Sequence, residues 1–431
     1  MKKLKPLLGL AAVTLLLAGC GSGAESTSSK SEGTGAGDEI TVWAWDPAFN
    51  LKALEVANEL YTADNPEFKL NVIENAQADI VQKLNTSLSS GTTTGMPNIV
   101  LIEDYRIQSF LEAYPDAFYP VTDLINADDF ADYKITAGTV DGELYSVPFD
   151  TGVTGLYVRT DILEQAGYTV EDFTDITWDQ YIEMGKEINS KTGLKMITND
   201  HNDLGLLRTM MQSSGVWYTE EDGVTPYIAD NESLKDAFED YKEMFESGIM
   251  NVHSDWNQLL NQFNSGNVAT VPMGNWITPS IKAATDQSGK WAVVPFPRQD
   301  IEGSVNASNL GGSSWYVLNV DGKEEAADFL VSTFGSNEEL YQDLITEIGA
   351  IGAFKPAVGG EAYQVGDEFF GGQLVYQDFS EWVEEIPQVN FGQNTYAIED
   401  IIKVAMQEYL NGGDLDQVFE NAQNQAETQI K

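Results

Sequence analysis

The residues of this chain best suited to handling a ligand are aromatic side chains set beside acids and amides. There are nine Trp and 18 Tyr. Several fall where a strand-like run gives way to a loop: Trp43-Ala44-Trp45-Asp46, Glu103-Asp104-Tyr105 and Gly274-Asn275-Trp276. Asn390-Phe391-Gly392-Gln393-Asn394-Thr395-Tyr396 precedes a helical pattern, and Asn199-Asp200-His201-Asn202-Asp203 is a polar loop. A flat apolar ring beside hydrogen-bonding groups suits a sugar, which has apolar C–H faces and polar edges. Such sites are concave and carry few placed polar groups. Every aromatic has core packing as its alternative. Trp178, Trp291 and Trp315 continue helix or strand patterns and read as core, whereas Trp45 and Trp276 sit at strand–loop junctions. The loop at 199–203 also reads as a solvated turn, and His201 as a surface histidine.

Catalytic arrangements are scarce. His201 and His253 are the two histidines, so a histidine-built metal site would have to lean on carboxylates. The chain carries no nucleophile elbow, phosphate-binding loop or dinucleotide fingerprint. With 68 acidic residues, some pair always falls at a glycosidase-like separation, so no such pair is assigned. No metal and no cofactor are expected. A net charge of −45 repels phosphate-rich partners and argues against nucleic acid.

The elements that must hold these loops alternate between strand and helix, the pattern of an α/β fold. Ile40–Trp45 opens as a strand. Leu51, Leu54, Ala57 and Tyr61 recur helically, Phe68, Leu70 and Val72 alternate as on a half-buried strand, and Ile80, Val81, Leu84 and Leu88 are helical again up to Gly91. Asn98–Ile102 is a short apolar strand, which completes a βαβαβ start and predicts a parallel sheet with right-handed crossovers. Thr177-x-x-Gln180, Ser336-x-x-Glu339 and Asp414-x-x-Gln417 read as helix starts. The C-terminal quarter is mostly helical. The roughly 390 residues that follow the N-terminal segment exceed one core and predict two domains.

The N-terminal end sets the expected compartment. Lys2, Lys3 and Lys5 precede an apolar run from Leu7 to Leu17, which is a signal-peptide pattern and falls short of the ~20 residues that span a bilayer. The run ends in Leu17-Ala18-Gly19-Cys20, with Cys20 the single cysteine. This segment resembles a bacterial lipobox. The resemblance implies cleavage before Cys20, acylation of its thiol (palmitate or a similar chain), and anchoring on the outer side of the cell membrane, or in the periplasm if there is an outer membrane. An ordinary secretory signal with an incidental cysteine is the alternative. Gly21–Asp38 is small and polar and reads as a flexible tether.

Taken in order, the pieces resemble the extracellular solute-binding proteins of carbohydrate ABC importers, the maltose-binding-protein-like group. They are Ile40–Asp46, Gly95–Val100, Asp141–Pro148, Gly155–Leu163, Thr177–Asp179, Gly274–Trp276, Trp291–Pro297 and Gly311–Trp315. Asn98 stands where the family often has Asp. The resemblance implies a two-lobe type II periplasmic-binding fold, with lobes joined by a multi-strand hinge, a sugar in the cleft and a permease as partner. It implies lobe 1 from 39–150 plus 297–350 and lobe 2 from 151–296 plus 351–431, after a leader at 1–19 and a tether at 20–38. Crossings are expected near Pro148–Gly152, Val294–Pro297 and Gly349–Pro356. By position, the family's ligand contacts fall on Trp45, Asp46, Glu103, Asp104, Tyr105, Asp150, Thr151, Asn202, Asp203, Asn275, Trp276, Gln393, Asn394 and Tyr396. Thr395 or Tyr396 replaces a tryptophan common in the family, which argues for a short oligosaccharide over a long maltodextrin. The chain is expected to be monomeric and not an enzyme. A secreted glycoside hydrolase, or a receptor for a non-sugar solute, is the alternative.

Overall fold

The computed structural model describes residues 39–430. The leader, Cys20 and the tether lie outside them. Two sheets organise the described chain. The first contains β1 (Ile40–Ala44), β2 (Leu70–Glu74), β3 (Ile99–Glu103), β4 (Ser146–Pro148) and β8 (Ser313–Val317), in the order β2-β1-β3-β8-β4. The second contains β5 (Thr154–Arg159), β6 (Thr270–Gly274) and β7 (Trp291–Pro295), in the order β6-β5-β7. β1 pairs parallel with β2 and β3 through helices Asn50–Asp64 and Gln77–Ser89, as the βαβαβ pattern predicts. β8 then enters antiparallel between β3 and β4.

The pleat sends alternate residues of each strand to opposite cores. Val42, Ala44, Ile99, Leu101, Trp315 and Val317 face a large core, while Trp43, Val100, Ile102 and Tyr316 face a smaller one. Both faces of the sheet are covered at β3, which is why Ile99–Ile102 is an unbroken apolar run, whereas β2 at the edge keeps Asn71 and Glu74. On β5 the same alternation sends Leu156 and Val158 into the second-lobe core with Trp178 and Tyr181, and Tyr157 the other way toward Phe370 and Phe379. Trp178, Trp291 and Trp315 are all buried, as their patterns predicted.

Helix starts follow local chemistry. Thr177 accepts from Gln180 N while Gln180 Oε1 accepts from Thr177 N, a full capping box. Asp414 caps Leu415–Gln429 through Gln417 N. The cap expected at Ser336 is one residue later: Asn337 Oδ1 accepts from Leu340 N at 3.1 Å. Ser336 Oγ instead donates backward to Val331 O at 2.8 Å. Gly349 closes that helix at φ +65°, the left-handed conformation that glycine tolerates.

Three segments pass side by side between the lobes. Asp150 bridges Gly352, and Val153 bridges Asn309. Thr151 N donates to Ile351 O at 2.9 Å and Leu310 N to Gly152 O at 2.7 Å. The middle passage differs from the sequence expectation near Val294–Pro297. β7 remains paired with β5 through Pro295, and Phe296 is buried in the second-lobe core. Arg298 exchanges main-chain bonds with Ile176 and Trp178, and Ser308 Oγ donates to Thr209 O. These bonds hold 296–308 in the second lobe, so the chain crosses at Asn309–Gly312, just before β8.

Candidate functional site

The carboxyl ends of β1, β3 and β6 open onto one cleft. It has two adjoining chambers of about 1020 Å³ and 700 Å³ that share Trp45, Gln77, Glu103, Trp256, Trp276 and Gly311. Ligands of α/β sheets sit at such strand ends. Trp45 and Asp46 leave β1 in a tight turn, with Asp46 at φ +42° and its Oδ1 accepting from Ala48 N at 2.9 Å. Glu103 is the last residue of β3. Asn275 and Trp276 follow β6 in a turn of 3-10 helix.

Trp276 faces the cleft from the second lobe. Its Nε1 donates to Leu310 O at 2.7 Å, which fixes the indole against the middle passage. Gly274 and Gly311 leave the space the ring occupies, because a side chain at either would press on it. Trp256, at the start of helix Trp256–Asn264, brings a second indole to 5.9 Å from Trp276 at an interplanar angle of 33°. It is 48% exposed, an unusual fate for so large an apolar side chain, and it offers an unused face beside a polar-edged cavity.

The second chamber carries more of the charged side chains. The Arg106 guanidinium lies 4.0 Å from the centre of the Tyr396 ring. Glu103 Oε2 accepts from Tyr396 Oη at 3.3 Å and from Arg106 Nε at 3.4 Å. Arg208 pairs with the buried Glu399 at 3.1 Å and lies over the Tyr105 ring. Burial pushes the Glu399 carboxyl up and the Tyr105 phenol to about 12, so the phenol stays a donor to Asn309 O. Asp200, Asp203, His253 and Asp255 complete this chamber. Burial lowers the His253 imidazole, and its Nδ1 is 2.9 Å from Thr198 Oγ1. Among the described residues no three His, Cys, Asp or Glu side chains come together to hold a metal ion.

Of the residues singled out from sequence, the cleft wall includes Trp45, Asp46, Glu103, Tyr105, Asp150, Asp203, Trp276 and Tyr396. The structure does not bring the other six to it. Asp104 is fully buried against Lys134, because its side chain points below β3 and away from the strand end. Thr151 is buried and donates to Ile351 O within the hinge. Asn202 is exposed outside the chambers and accepts from Gln407 Nε2. Asn275 is buried behind Trp276, with its main-chain N donating to Val153 O. Gln393 is exposed away from the wall, and Asn394 precedes helix Thr395–Leu410 without a side-chain cap bond, outside both chambers.

Sequence reasoning missed Trp256, Arg106, Arg208 and Gln77. Trp256 was findable: Asp255-x-x-Gln258 caps a helix right after strand Met250–Val252, which places an indole at a strand-to-helix junction. Arg208 had no local signal, since its partner Glu399 is far along the chain.

Residues 57–370 match the bacterial extracellular solute-binding protein family. The chain is 45% identical over 394 residues, 91% of its length and 93% of the relative's, to the lactose-binding protein of Rhizobium radiobacter. It is 28% identical over 340 residues to the arabinooligosaccharide-binding protein of Bacillus subtilis (strain 168), covering 76% of this chain and 74% of that protein. In fold it is similar to the ABC-transporter-associated binding protein of B. animalis subsp. lactis Bl-04, solved with beta-1,6-galactobiose. The TM-score is 0.70 at 21% identity, covering 90% of this chain and 96% of that one.

Proposed function

The chain belongs to the bacterial extracellular solute-binding proteins, and on that premise we propose that it captures a short neutral oligosaccharide, with lactose the first to test, for an ABC importer. The observation that carries this reading is the cleft itself. Trp45, Trp276 and Trp256 line it together, while Glu103, Asp150, Asp203 and the two arginines supply hydrogen-bonding edges. Indole faces bury the apolar side of a sugar ring, and charged edges accept from or donate to its hydroxyls.

The binding protein acts as a monomer without chemistry of its own. Ligand bridging the two lobes closes the cleft about the three hinge segments, and the closed form is what the permease reads. Cys20 carries the lipid that tethers it to the outer face of the membrane. Among the described residues no helix is long and apolar enough to cross one.

Calorimetric titration with lactose, then with a panel of mono- and oligosaccharides, tests the binding reading. Saturable binding with no new reducing ends supports it; binding of none of the panel sinks it, and new reducing ends would favour a hydrolase. A ligand at 100 Kd should also stabilise the fold by ~2.7 kcal/mol. For the anchor, Cys20→Ser should release the protein from membranes or leave the leader uncleaved. Normal membrane retention of that variant would refute the lipid anchor.

A further inference from the structure

Beneath the first chamber, at the hinge, lies a buried group of charges of which Asp150 alone reaches the cavity wall, beside the lining residues Gly312 and Ser313. Lys134, fully buried on helix Asp132–Ala137, donates to Asp104 Oδ2 at 2.7 Å and to Ser313 O at 2.7 Å. Asp104 Oδ1 accepts from Ser314 Oγ at 3.1 Å. Asp150 Oδ1 accepts from both Ser313 N and Ser313 Oγ, each at 2.8 Å. Ser313, the first residue of β8, is thus gripped at its nitrogen, hydroxyl and carbonyl. Gly312 before it, at φ +87°, is packed so closely that a Cβ would meet Asp104 Oδ2 at 2.7 Å. Asp150 is in the wall of the first chamber, and among the described residues none donates to its Oδ2.

We propose that Lys134 is a positioning residue for ligand binding, acting through Ser313 to hold Asp150 as a charged acceptor for a sugar hydroxyl at the hinge. This rests on the sugar-binding reading above. The arrangement supports it: two buried carboxylates lie near one ammonium, which is ion-paired to Asp104 alone, and Asp150 is the member that reaches the cavity. A buried carboxylate stays ionised only with a compensating partner. The groups facing Asp150 are Lys134 and Tyr133 from helix Asp132–Ala137, Asp104 from the earlier helix Asp104–Ala113, and Tyr341 from helix Glu338–Ile348. Burial raises the Asp150 carboxyl and Lys134 opposes that rise. An ionised acceptor bonds a hydroxyl about twice as strongly as a neutral one. Lys134 thus sets the strength of a contact that it does not make.

The test titrates lactose calorimetrically into wild type, Asp104→Asn/Lys134→Met and Asp150→Asn from pH 5 to 8, with melting temperatures alongside. Removing the ion pair as a unit avoids leaving one charge stranded. The double variant should fold and bind lactose about tenfold or more weakly at pH 7. The pH at which its binding fades on acidification should lie above that of wild type, a shift that packing loss alone does not produce. Ser313→Ala keeps the ion pair and should move both quantities the same way by a smaller amount, so the test survives if the double variant fails to fold. Wild-type affinity and an unmoved pH profile in either folded variant would overturn the proposal, as would wild-type binding by Asp150→Asn. Failure of the wild type itself to bind any neutral sugar would instead remove the functional reading on which it stands.

Discussion

Trp276 and Trp291 show two fates of an indole. Trp291, the first residue of β7, is buried, and its Nε1 donates to Gln287 Oε1 at 2.9 Å. Trp291→Ala should cost ~3–5 kcal/mol through the cavity it leaves. Trp276→Ala removes a face from the cleft and should raise the Kd for lactose about ten- to a hundred-fold, roughly 1–3 kcal/mol. Its effect on melting should be small. Trp256→Ala, which empties a half-exposed position, should weaken binding with no loss of melting temperature. Calorimetric titration and thermal unfolding of the three variants separate these outcomes; a Trp276→Ala variant that binds normally but melts far lower would reassign that residue to the core. A second residue-scale case lies away from the cleft. Asp240 is 5% exposed on helix Glu232–Glu246, facing Asp236 and Asp179, and burial first, then those carboxylates, raise it to about 8. A carboxyl whose folded pKa exceeds its unfolded value of 3.8 opposes folding progressively as pH climbs between the two, and the full penalty of several kcal/mol stands above the higher one. Asp240→Asn should therefore raise the melting temperature markedly at pH 8.5 and little at pH 4. An equal gain at both would contradict the assignment.

Local start signals set the helices, and tertiary bonds adjust them. The capping box at Thr177 was legible because its two partners are three residues apart. Thr177→Ala should lower stability by about 1 kcal/mol and leave lactose affinity unchanged, since helix Trp178–Thr192 lines neither chamber. Denaturant titration and calorimetry check both halves. Ser336 and Asn337 illustrate the limit of pattern reading. Both are good caps, and only the folded chain shows Asn337 accepting from Leu340 N while Ser336 Oγ donates back to Val331 O. β3 gives the same lesson on a strand. The run Glu103-Asp104-Tyr105 looked like one ligand loop, yet it straddles a strand end and a helix start, so Glu103 reaches the cleft while Asp104 turns beneath it.

For the molecule as a whole, the proposed closure would turn on the hinge. Three adjacent segments near 150–153, 309–312 and 351–352 join the lobes, which allows rotation without breaking either sheet. Tyr396 and Arg106 already meet across the cleft mouth. Ligand should reduce the radius of gyration measured by small-angle scattering, because closure expels water between the lobes. An unchanged radius at saturating lactose would leave binding standing and remove closure from the account.

Sequence by itself determined what depends on near neighbours: the parallel start, most helix ends, the buried fate of Trp178, Trp291 and Trp315, and the strand–loop positions of Trp45 and Trp276. It also carried the family resemblance, through the order and spacing of short motifs along the chain. Only the tertiary structure decided what depends on distant pairs. The middle hinge crossing moved from 294–297 to 309–312 because bonds from Ile176, Trp178 and Thr209 hold the intervening chain. Arg208 entered the cleft through Glu399, and Asp104 left it for Lys134. A side chain's direction at a strand end, and the partner that neutralises a buried charge, are set by packing between segments up to about 200 residues apart, and no local periodicity encodes that.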